Sequence, residues 1–229
     1  MAYEYLFSAL PVLPHVIGDA IKFESEELWR IMESEEGEAS YLAGLLLIYF
    51  DIKALERLSL EIEDVSGAVY SQEGLKSKDR FPTWLTSSLA EAGHDTGGHK
   101  FRPVWRAYYK KLLEQAEKSS SSFMKQWIPW DIALRNAVAE HRGSLKHVEM
   151  EYKPVDVRGF VRQDEFKPLV EMLVSFEERE FDAWRDMDME IAKRRLNKAR
   201  ELAPAYTFNI DELLSYVVQY TVFKEFEYL

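Results

Sequence analysis

The feature that most limits how this chain can fold is the stretch from Ser121 to Arg142, SSFMKQWIPWDIALRNAVAEHR. At 3.6 residues per turn it places Phe123, Trp127, Trp130, Leu134, Val138 and His141 on one face. A second apolar strip, Met124, Ile128, Ile132 and Ala139, runs beside the first. Asp131, Arg135 and Arg142 fall between the two strips. Asp131 lies four positions before Arg135, the better order for a helical ion pair. Two readings of this surface stand side by side. One is a core helix with a single satisfied polar pair; the other is a partner groove whose register the pair fixes. Pro129 lies inside the pattern and is expected to kink the helix or mark a turn just before Trp130.

The rest of the chain has to surround such a helix, and its composition allows that. The 229 residues suffice for one large domain or two smaller ones. With 47% hydrophobic and 14% aromatic residues there is material for a real core, which argues against disorder. A net charge of -11 argues against nucleic acid, whose phosphates require clustered Lys and Arg. The absence of cysteine excludes a disulfide framework and thiolate chemistry. The opening MAYEYLFSAL carries acid where an export signal would carry base, so none is expected. The longest apolar run, Tyr41 to Phe50, is about half of what a spanning helix needs. A soluble, cytoplasmic protein is expected.

Along the chain the patterns are helical. AYEYLFSALPVLP is a short aromatic segment stopped by Pro11 and Pro14, and its periodicity does not decide between helix and strand. Ser25 has the character of an N-cap, followed by Glu26 and Glu27 at the positive end of a helix that Gly37 ends. Helices are expected over 38–49 and 51–60, with little break between them. Residues 66–78 are expected to be loop. Pro82 suits the first turn of a helix over 83–92, and the AGHDTGGHK segment that follows is expected to be a loop. A helix over 102–118 carries Val104, Tyr108, Leu112 and Leu113 on its apolar side, and the serines at 119–122 break it and cap the tryptophan helix. Residues 143–162 join two halves and have room for a short strand. From 164 to about 202 a helical stripe of Leu169, Leu173, Phe176, Ala183, Trp184, Met187 and Ile191 recurs. Asn209 with Glu212 forms a capping-box pattern for a last helix bearing Leu213, Leu214, Val217 and Tyr220. The fold class is therefore all-α, a multi-helix bundle. Its halves are 1–143 and 144–229, as two units or one continuous domain.

Enzyme signatures are incomplete. His94 and His99, with Asp95, are candidate metal ligands in the Gly-rich loop, but a metal site needs three or four ligands fixed by further hydrogen bonds. Glu91 and His94 give a single Glu-x-x-His, where a di-iron bundle needs two such pairs and two further glutamates. Neither a phosphate loop nor a nucleophile elbow is present. No catalytic residue, cofactor or metal is expected.

Two segments carry a resemblance. YEYLFSALPVLP resembles the start of a bacterial family encoded beside V-type ATP synthase subunits, and FMKQWIPWDIALRNAVAEHR resembles that family's motif of an aromatic, a tryptophan, an acid and Leu-Arg-Asn. The acid-x-x-Leu-Arg-Asn pattern is also similar to one in the helical funnel of V/A-type rotary ATPases, the component that joins the central stalk to the membrane rotor ring and has a eukaryotic counterpart. Asp131, Leu134, Arg135 and Asn136 occupy the motif positions. The resemblance implies a helical funnel-like architecture and a non-catalytic component or accessory factor of a V/A-type ATPase or ATP synthase, at the central stalk or rotor junction. Its implied partners are protein subunits of that complex, which bring it to the inner membrane, with neither nucleic acid nor a small-molecule ligand expected. Trp127, Trp130, Asp131, Arg135 and Asn136 are the residues expected to bind a partner or fix register. The alternatives are an unrelated helical adaptor and a metal-dependent enzyme built on the His94–His99 loop.

Overall fold

The computed structural model describes residues 3–34, 37–93, 101–145, 171, 183–203 and 205–227. Among these residues the protein is all-helical, with no strand. In chain order the helices are α1 (Glu4–Ala9), α2 (Ser25–Glu33), α3 (Glu38–Ser59), α4 (Gln72–Ser77), α5 (Thr83–Ala92), α6 (Arg102–Lys118), α7 (Ser122–Leu145), α8 (Ala183–Leu202) and α9 (Ile210–Glu225). The expected all-α multi-helix bundle is what the chain forms.

Two helices lie at the centre. α9 packs on α3, α7 and α8, and α3 also meets α2 and α6, while α7 meets α6 and α8. α9 suits this place because it is apolar nearly all round: Leu213, Leu214, Val217, Val218, Tyr220, Val222 and Phe223 are each at most 1% exposed. One continuous cluster of buried side chains runs from Leu6 to Phe226.

Several local expectations change. The two helices expected over 38–49 and 51–60 are one uninterrupted helix, α3, with Asp51 fully buried in its interior. Ser25 is not the N-cap of α2. Glu24 takes that role in a reciprocal box with Glu27, and Ser25, one residue further in, is buried and hydrogen-bonded to the Tyr220 hydroxyl at 2.9 Å. The expected loop over 66–78 contains α4, whose N-cap Ser71 accepts from the Gly74 amide, and Lys78 ends it in the left-handed region at φ 60°. The opening aromatic segment is helical. α7 continues through Pro129, so no turn precedes Trp130. Proline leaves the carbonyl four residues earlier without its helical donor. That residue is Lys125, which is exposed.

The last helix begins as expected at Asn209, which accepts from the Glu212 amide at 3.0 Å. The Glu212 carboxylate does not return to Asn209. It instead gathers the amides of Tyr206, Thr207 and Phe208, each at 2.7 Å. This anchors a turn in which Tyr206 and Phe208 both have positive φ. α7 runs on through Gly143 to Leu145, into the segment expected to join two halves. The strand expected within 146–161, the stripe residues Leu169, Leu173 and Phe176, and the loop bearing His94, Asp95 and His99 lie outside the described residues. So do the side chains of His141 and Arg142.

Candidate functional site

α7 is fixed at its start by an acid from another helix. Asp211, in the first turn of α9, accepts from the Ser121 hydroxyl at 2.6 Å and from the Phe123 amide at 3.2 Å, and its second oxygen accepts from Ser122. A carboxylate at this end complements the helix dipole and takes a donor that lacks an intrahelical partner. Ser121 also caps the helix by accepting from the Met124 amide at 3.0 Å. As far as Val138, both apolar strips then turn inward. Phe123, Met124, Trp127, Ile128, Ile132 and Leu134 are nearly inaccessible, and Trp130 is 7% exposed. The Phe123 and Trp127 rings stack at 5.9 Å, and Trp127 meets Trp130 at 5.4 Å.

Between the strips the expected ion pair forms: Arg135 Nε donates to Asp131 Oδ2 at 2.8 Å. It belongs to a larger network. Arg195 of α8 donates from Nε to Asp131 Oδ1 at 2.8 Å and from Nη1 to Glu225 Oε2 of α9 at 2.8 Å. The other Glu225 oxygen accepts from the Tyr49 hydroxyl of α3, with Lys53 Nζ at 3.7 Å from it. The Arg135 guanidinium lies 5.3 Å from the Tyr49 ring centroid and 5.5 Å from that of Tyr109 on α6. Two carboxylates and two guanidiniums thus join α7, α8 and α9, and two tyrosine rings extend the contact to α3 and α6. Leu134, on the adjoining motif position, is in the core, and Asn136 is half-buried.

Burial pushes the Asp131 carboxyl up, but Arg135 and Arg195 outweigh it and hold its pKa below the ordinary value. Burial likewise acts against Glu225, and Arg195, Arg135 and Lys53 bring it down to about 2. The Tyr49 hydroxyl is raised, first by burial and then by the Glu225 charge. These shifts keep Asp131 and Glu225 ionised and the Tyr49 hydroxyl protonated near neutral pH, which suits a fixed electrostatic joint. Beside the network lies a cavity of about 20 Å³ lined by Tyr108, Trp127, Arg135 and Arg195. That is the space of a single water, too small for a substrate.

Asp131 and Arg135 were visible as a helical pair, whereas Arg195, Glu225, Tyr49 and Tyr109 were not singled out. One signal was present. Arg195 continues the apolar spacing of Met187 and Ile191, and Glu225 continues that of Val218 and Thr221. A charge on an apolar stripe implies a buried partner. Among the described residues no group of three or more His, Asp or Glu side chains is placed to hold a metal, and no helix is long and apolar enough to cross a membrane. No family model, curated protein or solved structure matches the chain.

Proposed function

We propose that the chain is a non-catalytic helical component or accessory factor of a V/A-type rotary ATPase or ATP synthase, acting at the central stalk or rotor junction. The observation that carries this reading is the role of the residues on which the resemblance rests. Asp131 and Arg135 sit inside a charge network spanning five helices, and Leu134 sits in the core. A motif in that position specifies a rigid bundle, since partnered buried charges fix the register of the helices that supply them. Such a body suits a coupling element, which transmits force without doing chemistry. A net charge of -11 favours a basic protein face as its docking surface.

The test is recovery from the native host. The chain, tagged at one end and expressed at its natural level, is purified from gently solubilised membranes. Co-elution of ATPase central-stalk subunits in constant proportion supports the reading. Elution with none of them, alone or with unrelated proteins, overturns it and favours a helical adaptor of another system.

A further inference from the structure

Away from the network, α2, α3, α5 and α6 surround a pocket of about 260 Å³. Its walls include Trp29 of α2, Gly44 and Asp51 of α3, Tyr70 in the segment before α4, Trp84 of α5 and Lys111 of α6. Gly44 is what allows the Trp29 wall. A Cβ there would stand 2.5 Å from one atom of the Trp29 ring and 2.7 Å from another, so the indole lies directly against the helix backbone. A glycine inside a helix costs about 1 kcal/mol relative to alanine, and here it opens the space into which the ring fits.

At the floor is a carboxylate with half of its bonding capacity unused. Asp51 Oδ1 accepts from the amides of Val69 at 2.8 Å and Tyr70 at 3.1 Å. Asp51 Oδ2 is buried and has no hydrogen-bond partner. Burial, opposed by the two amides, raises this carboxyl to about 7. A lone oxygen of this kind is costly unless a donor reaches it.

We propose that this pocket binds a small primary arylalkyl ammonium, whose ammonium donates to Asp51 Oδ2 and whose ring packs against the indoles of Trp29 and Trp84. The walls include four aromatic rings, those of Trp29, Tyr41, Tyr70 and Trp84, and an electron-rich ring face attracts a cation as well as covering an apolar body. The volume exceeds the roughly 150 Å³ that accommodates benzene, so a ring with a short chain fits. Because Asp51 Oδ2 is buried at this floor, the proposed ligand is one with a slim terminal ammonium on a flexible chain rather than a branched amine. Lys111 is the competing charge of the lining, and it would select an anion instead. This site stands apart from the rotary-ATPase reading, and the proposal departs from the expectation that the protein takes no small ligand.

The full-length protein is titrated with 2-phenylethylamine, 2-phenylethanol and 3-phenylpropionate at about pH 8, where the carboxyl is mostly ionised. Binding is followed by calorimetry and by tryptophan fluorescence. The amine is expected to bind saturably, about tenfold or more tighter than the alcohol and the acid. Asp51→Asn is expected to remove that preference, with helical content unchanged. Trp84→Leu, which leaves the carboxyl in place, is expected to weaken all three probes together. No saturable binding of the amine at millimolar concentration overturns the proposal. So does equal affinity for the alcohol, or tighter binding of the acid.

Discussion

Asp131 and Asp51 are both buried carboxyls, and what separates them is the supply of donors. Asp131 has a guanidinium on each oxygen, whereas Asp51 has two amides on one oxygen and nothing on the other. Their effects on stability have opposite sign. The folded-state pKa of Asp51 lies above its ordinary value of 3.8, so the folded protein holds that proton more tightly than the unfolded chain. Its contribution is full below about pH 4, declines as pH rises towards about 7, and totals on the order of 4 kcal/mol. Denaturant titrations across that window are expected to show this decline in the wild type and to lose most of it in Asp51→Asn; an unchanged pH profile in the variant contradicts the assignment. Glu225 and Asp131 act the other way, stabilising above their ordinary values and losing that contribution only as pH falls through their depressed ones. Trp127, 2% exposed and stacked on Phe123, is a core anchor. Trp127→Ala is expected to cost about 3–5 kcal/mol by chemical denaturation, and an unchanged midpoint contradicts its placement. At this scale the sequence revealed what lies within one helical turn. Asp131 and Arg135 are local neighbours, but Arg195 is 64 positions from Asp131, and only the folded topology brings them together.

The helices themselves were legible wherever apolar spacing and caps agreed, as in α5, α6 and α9. They were misread where one residue type serves two purposes. The sequence suggests a break between Tyr49 and Asp51, but Asp51 faces inward from one continuous α3 and its carboxylate holds the 69–70 backbone. Ser25 resembles a cap, yet its hydroxyl docks α2 on α9 through Tyr220, whose ring also stacks on Phe23 at 5.1 Å. Tertiary partners override the local preference in both cases. Ser25→Ala is expected to cost about 1–3 kcal/mol, because it strands a buried hydroxyl. Adding Tyr220→Phe removes the stranded group, so the pair of substitutions is expected to cost less than the two single effects combined. Strict additivity would show that the two side chains do not interact.

For the whole molecule, the described helices share one apolar core, and the charge network is the polar joint within it. Hydrophobic burial drives the collapse without direction, whereas the ion pairs of the network form only when Asp131, Arg195 and Glu225 are brought to the same level of their helices. Its energetic value is therefore conditional. Intact, it offsets the desolvation of four charges; broken at one member, it strands the rest. The overall class was legible in the sequence because helical periodicity and composition are whole-chain properties. The joint was not, because it is assembled from α3, α6, α7, α8 and α9 at once. The most direct measurement is a double-mutant cycle on Asp131→Ala and Arg195→Ala, read by urea denaturation. Each single variant is expected to cost about 3–5 kcal/mol, with a coupling energy of about 2 kcal/mol or more. A coupling energy below about 0.5 kcal/mol, the level of an ordinary solvated pair, would contradict the account of α7 and α8 as helices locked by a buried charge joint.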